Sequence, residues 1–177
     1  MTDNAMNSST DEITATLEAL LASKASPQAF ARQLFNLDYA RAKATDPVLA
    51  DMLRACAIPR TFNAEIIGVL RDAGNEVAIN QRLLANLIGF SFVLPVATSG
   101  DYTYHDNTRQ MLWDEWQQDE HRTQFEQLKT RLVTFYRMQG ESAYNQKTYE
   151  AALAHFNRAI ELQAKDGDLY DWRGSTH

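Results

Sequence analysis

The apolar period of this chain is helical almost throughout and changes character once. Phe90, Phe92, Leu94 and Val96 alternate with other residues, and Tyr102 and Tyr104 do the same between Asp101 and His105. A period of two marks extended backbone, where successive side chains leave opposite faces. Thr98-Ser99-Gly100-Asp101, between the two stretches, is turn chemistry. The chain must therefore fold around a single β-hairpin set into an α-helical protein, which makes the fold class mostly α.

The helices on either side are punctuated clearly. A helix is predicted after Thr10, with Ile13, Leu17, Leu20 and Leu21 on one face. Ser26-Pro27 starts the next: serine caps, and proline occupies the first turn, where its missing N–H costs nothing. Phe30, Leu34 and Leu37 form its expected apolar stripe. Asp46-Pro47 repeats the signal, with Leu49, Leu53 and Ala57 inward, until Ile58-Pro59-Arg60 interrupts. Asn63 can cap a helix carrying Ile66, Ile67 and Leu70, and a loop at Gly74-Asn75 leads to another through Leu83, Leu84, Leu87 and Ile88. After the hairpin, Asp106 or Asn107 can cap a helix bearing Met111, Leu112 and Trp116. From Asp119 onward the pattern is helical, with breaks expected near Gly140 and at Lys165-Asp166-Gly167. Three helices followed by a hairpin describe a winged-helix domain over residues 46–118. Residues 1–10 read as a disordered lead-in and 11–45 as a helical segment.

Composition bounds the functional classes. With 45% hydrophobic residues, 177 residues can bury a real core. The single cysteine, Cys56, excludes an internal disulfide framework and suits a reducing compartment. The polar, acidic start lacks the basic and apolar regions of a signal peptide. The near-apolar run from Leu87 to Ala97 is too short to span a bilayer. A soluble cytoplasmic protein without membrane contact is expected. The net charge is −6, and between Asp46 and Gln118 five arginines and no lysine stand against nine acidic residues. Phosphate binding along a duplex needs clustered cations, so no nucleic-acid partner is expected.

A frame opened at Val133 places Tyr136, Gly140, Ala152, Phe156 and Ala159 at offsets where a helix-turn-helix repeat needs alternating small and large contacts. Tyr170 and Gly174 then recur about 34 residues after Tyr136 and Gly140. These offsets, with Tyr149-Glu150-Ala151-Ala152 opening the second helix, resemble the tetratricopeptide repeat. Residues 119–177 are read as such helical repeats, with 133–166 one unit and 167–177 the start of the next. Ala164 stands where that family usually has proline, and Ala143 where it usually has tyrosine. A repeat cannot bury its face alone. The expectation is a piece of a longer array, or self-association through the open end as a homodimer.

Leu53 to Asn63, with Ala57-Ile58-Pro59-Arg60 at its turn, resembles the first helix and turn of the winged-helix domain in STAND-type NTPases, the NB-ARC and NACHT signalling ATPases. Phe90-Ser91-Phe92-Val93 and Tyr102 to Arg109 resemble its wing and last helix. Tyr104-His105-Asp106 is similar to that family's Met-His-Asp motif, with tyrosine for methionine. Residues Thr10 to Lys43 are similar to the end of the helical domain before it. The resemblance implies that His105 would sense the nucleotide diphosphate in a longer parent, with Asp106 capping the helix. A purely structural role for both is the plainer alternative. No Gly-x-x-x-x-Gly-Lys-Ser/Thr loop occurs, and the seven glycines are scattered, so no phosphate cradle and no cofactor are expected.

Other chemistry is sparsely represented. His105, His121, His155 and His177 show no helical metal spacing. Cys56 lies on an apolar helix and reads as a small buried hydrophobe. Trp113, Trp116, Phe125, Phe135 and Tyr136 are expected to join the winged helix to the first repeat. The sequence thus describes a module without catalysis, binding protein or peptide through a repeat surface. The alternative is a winged-helix DNA-binding transcriptional regulator, whose recognition helix, about Asn80 to Gly89, would offer Arg82 as its one cation.

Overall fold

The structure, a computed structural model, describes residues 26–164. The helix expected after Thr10, the break at Lys165-Asp166-Gly167, Tyr170, Gly174 and His177 lie outside the described residues. Within them run α1 (Pro27–Thr45), α2 (Pro47–Ala55), α3 (Ala64–Arg71), α4 (Val77–Leu87), β1 (Val93–Pro95), β2 (Tyr102–Tyr104), α5 (Asp106–Trp116), α6 (Asp119–Asn145) and α7 (Tyr149–Ala164).

The caps act where the side chains predict. Ser26 Oγ accepts from the Ala29 N–H at 3.2 Å, Asp46 Oδ1 from Leu49 at 3.1 Å, and Asn63 Oδ1 from Ile66 at 3.0 Å. Each satisfies one of the orphan donors at a helix start, an effect typically worth ~1 kcal/mol. The apolar stripe of α1 differs from expectation. Phe35 and Ala42 are its buried residues, while Phe30, Leu34 and Leu37 are half-buried. Phe35 turns inward because it stacks on Tyr39 and meets Phe92, which comes from the approach to the hairpin. Long-range aromatic contacts thus set the face of this helix.

The hairpin pairs antiparallel, with Val93 opposite Tyr104, Leu94 opposite Thr103 and Pro95 opposite Tyr102. Extended pairing begins only at Val93, so the expected face of Phe90, Phe92, Leu94 and Val96 is not kept. Phe92 and Val93 are both buried, and Leu94 is exposed. A further pairing extends the sheet: Phe62 and Tyr102 exchange both backbone hydrogen bonds at 2.8 Å. The residue just before the Asn63 cap thereby serves as a third, one-residue strand. Tyr104 plugs the centre, its ring edge-on to Phe62 and Phe92 and its hydroxyl donating to the Leu53 carbonyl at 2.9 Å. Burial raises that hydroxyl well above its ordinary pKa, so it remains a donor.

Two further differences concern helix boundaries. Asp106 is the first residue of α5 and does not cap it; His105 holds the cap position with no side-chain hydrogen bond. The His105 N–H is engaged by the Phe92 carbonyl at 2.8 Å, which keeps His105 in the extended hairpin and lets the helix begin directly after it. Gly140 does not break α6, which continues to Asn145. The chain turns instead at Lys147, whose φ of 62° is left-handed. There the Thr148 N–H and hydroxyl both donate to the Ala143 carbonyl at 2.9 Å, closing the helix end.

Helix α7 folds back on α6, and α6 lies along α3 and α5. Arg131 donates to the Leu70 carbonyl at 3.0 Å and Gln139 to Glu65 at 3.2 Å, fixing α6 to α3. Among the described residues α6 and α7 form one helix hairpin, and no repeat array is identified. No helix among them is long and apolar enough to cross a membrane.

The α5–α6 seam is aromatic. Trp116 is 2% exposed, stacks on Phe125 and faces His121 edge-on, and its indole N–H donates to the Arg54 carbonyl at 2.9 Å. The Arg54 guanidinium lies 5.0 Å from its ring and pairs with Glu115 at 2.8 Å. Trp116→Ala should lower unfolding free energy by ~3–5 kcal/mol, since it removes packing and the indole hydrogen bond to the Arg54 carbonyl. Urea denaturation followed by circular dichroism measures this, and a loss below about 1 kcal/mol would contradict the role given to the seam.

Candidate functional site

The residues expected to form the repeat contact come together on α6 and α7. Tyr136, Ala152 and Ala159 are buried, and Phe156 is half-buried. The close approach is at Gly140: a Cβ there would stand 2.6 Å from Cε1 and 2.8 Å from Cδ1 of Phe156. The glycine thus accepts the ring against its backbone, which accounts for the small–large pairing seen in the sequence. Outside this contact, α7 presents Tyr149, Leu153 and Ile160 to solvent at 58%, 61% and 45% exposure. Their spacing of four and seven puts them on one stripe, and Tyr144 from α6 meets Tyr149 edge-on.

His105 and Asp106 sit together at the start of α5, and both are exposed. Asp106 lies in the first turn, where a carboxylate suits the helix dipole. Arg109 is turned elsewhere, to the joint with α7. Across the molecule, α4 exposes Gln81, Arg82, Ala85 and Asn86, so Arg82 is the one cation between Asn80 and Gly89. Asn80 cannot read a base edge. It is 2% exposed, donates to the Ala73 carbonyl at 2.9 Å and accepts from Arg71. The remaining candidates are scattered. His121 pairs with Glu120 at 3.0 Å, and Cys56 is 1% exposed with its thiol pushed up by burial, the opposite of an activated nucleophile. Among the described residues no three His, Cys, Asp or Glu side chains are grouped to hold a metal ion.

Two polar centres escape a linear reading. The first is Asp101, a turn residue by sequence but only 7% exposed. Its carboxylate accepts from Asn63 Nδ2 at 2.9 Å, from the Thr61 hydroxyl at 3.4 Å and from Arg158 at 3.4 Å. The hairpin turn, the α3 cap and α7 are joined there. The second is a cavity of about 30 Å³ beside it, between the Ile58–Thr61 turn, the start of α5 and the α6–α7 pair. Arg60, Arg109 and Arg158 line it with Tyr136 and Glu161. Arg109 Nε is buried there without a hydrogen-bond partner, a state that ordinarily costs ~1–3 kcal/mol. The three arginines are 49 residues apart at each step, so nothing in local spacing could have grouped them.

Burial tunes the groups around this joint. Tyr136 is pushed up to about 12, chiefly by desolvation. The Arg109 guanidinium is held below its ordinary range by burial and then by Arg60, against the opposing pull of Asp106 and Glu161. His155 stacks on Tyr136 and is lowered from 6.5, first by burial and then by Arg158, while Glu65 opposes. The chain matches no protein-family model, and no curated protein and no solved structure matches it significantly.

Two outcomes follow from these contacts. Gly140→Ala gains helix propensity of ~1 kcal/mol but overpacks the Phe156 ring, so it should destabilise the native chain by ~1 kcal/mol net. In a Phe156→Ala background the same change should stabilise, and a double-mutant cycle by urea denaturation reads the reversal of sign. For His155, the unfolded chain takes up a proton more readily than the folded one. Stability is therefore full above about 6.5 and is lost as pH falls from there through the lowered folded value. His155→Gln should flatten that part of the stability–pH curve.

Proposed function

We propose that this chain is a non-catalytic interaction and regulatory module of the cytoplasm, in which a winged-helix adaptor carries a tetratricopeptide-like helix hairpin. The first unit comprises α2, α3, α4, the hairpin and α5; the second is α6 with α7. The observation that carries the reading is the contact of Gly140 with Phe156, joined to an apolar stripe on the outer side of α7. A repeat helix buries one face against its partner and offers the next to a neighbour or a ligand. Tyr149, Leu153 and Ile160 are exposed in that manner. The order of three helices, hairpin and helix is that of a winged helix, and the Tyr104-His105-Asp106 element supports relation to the STAND-type signalling ATPases. In this reading the first unit is a rigid mount for the second. The Asp101 cluster and the Trp116 seam supply the rigidity.

The partner is then a protein or peptide that covers the α7 stripe, with a second copy of the chain as the simplest such partner. Sedimentation velocity over a dilution series should show concentration-dependent dimers that dissociate in Leu153→Lys and Ile160→Lys, with helical content unchanged. A wild-type chain that stays monomeric at every concentration would remove the support that the open stripe gives this reading. Fluorescence anisotropy with a random DNA duplex at low salt should show no binding, and micromolar affinity there would favour the DNA-binding alternative.

A further inference from the structure

We propose that the joint between α5, α7 and the turn before α3 is a binding site for a single phosphate group. The site rests on three cations that the fold brings to one small cavity: Arg60 from the turn, Arg109 from α5 and Arg158 from α7. One carboxylate, Glu161, also lines it, and Arg158 is shared with Asp101 at 3.4 Å. Asp106 also acts on Arg109, so three carboxylates stand against the three arginines, and what remains unmatched is the buried Arg109 Nε. Guanidinium groups brought together repel one another and lose hydration, so an anion held between them offsets part of that cost.

The donors also have the right form. Arg109 Nε is buried and unpartnered, and it points from a guanidinium whose planar fork matches two oxygens of a phosphate. Tyr136 lines the same cavity and stays protonated, since burial pushes its hydroxyl up to about 12 against the opposing pull of Arg158. It can therefore donate to an oxyanion. Arg60 is exposed and sits at the mouth, where it can follow the remaining oxygens. A cavity of about 30 Å³ admits part of one small group and excludes a larger ligand from its depth. The chemistry is that of free phosphate or of a phosphate monoester whose ester oxygen faces solvent. A bound phosphate would tie α5 to α7 across the joint and so stiffen the mounting of one unit on the other. This assignment does not depend on the identity of the α7 partner.

The test uses the full chain and inorganic phosphate, with chloride at matched ionic strength as the control. Thermal unfolding should shift upward with phosphate and not with chloride, and isothermal titration should show one site. Arg109→Gln should weaken binding about tenfold or abolish it. Arg60→Gln, a change at an exposed position, should weaken it while leaving the fold intact, which keeps the test valid if the Arg109 variant unfolds. Arg82→Gln, on the exposed face of α4, should change nothing. Glycerol 2-phosphate in place of phosphate separates the two sources: equal binding identifies a monoester site, and binding of phosphate alone identifies a site for the free ion. A wild-type chain whose unfolding responds equally to phosphate and chloride would overturn the proposal. So would phosphate binding that the Arg60 and Arg109 substitutions leave unchanged.

Discussion

The buried carboxylate of Asp101 holds the two parts of this molecule in one arrangement. A desolvated charge must be matched by donors, and the three Asp101 donors come from two separated places: Thr61 and Asn63 before α3, and Arg158 in α7. Asn63 serves twice, since its Oδ1 caps α3 while its Nδ2 reaches Asp101. The turn of the β-hairpin thereby becomes the point at which a helix start is oriented and the last helix is anchored. The Phe62–Tyr102 backbone exchange runs alongside and fixes the same approach from the sheet.

The apolar part of the joint follows from this polar one. With the hairpin pinned, Tyr104 is driven into the centre, where Phe62 and Phe92 close on its ring and Leu53 accepts its hydroxyl. Helix α6 then runs past α5 and α3, with Trp116 and Phe125 filling one end and Tyr136 the other. Arg158 lies over the Tyr136 ring at 5.7 Å while reaching Asp101, so a single side chain connects the packed and the charged halves of the contact. The two neighbouring arginines, Arg60 and Arg109, line the cavity beside it.

Much of the secondary structure was legible residue by residue. Ser26, Asp46 and Asn63 cap as their chemistry requires, and the single change of apolar period marks the hairpin. Local preference is overridden where it meets a distant contact. A break is expected near Gly140, yet the Phe156 ring fills the space its missing side chain leaves and the helix runs on. Asp106 or Asn107 is expected to cap, yet His105, paired with Phe92, holds the cap position and Asp106 is the first residue of the helix. The α1 stripe is expected on Phe30, Leu34 and Leu37, yet Phe35 is held inward by Phe92. In each case the winning term is a contact between residues far apart in the chain, which a helical or strand period cannot contain.

Caps, turns and the choice between helix and strand depend on a few neighbouring residues, and that is why the order of amino acids is enough to indicate a mostly helical chain interrupted by one hairpin. The small–large relation of Gly140 and Phe156 was visible too, because a helix hairpin brings together residues at a fixed spacing. The burial of Asp101 and the meeting of Arg60, Arg109 and Arg158 belong to the folded state. Their charges are ordinary surface charges until packing removes the water, and the strength of such groups is set by what surrounds them in space.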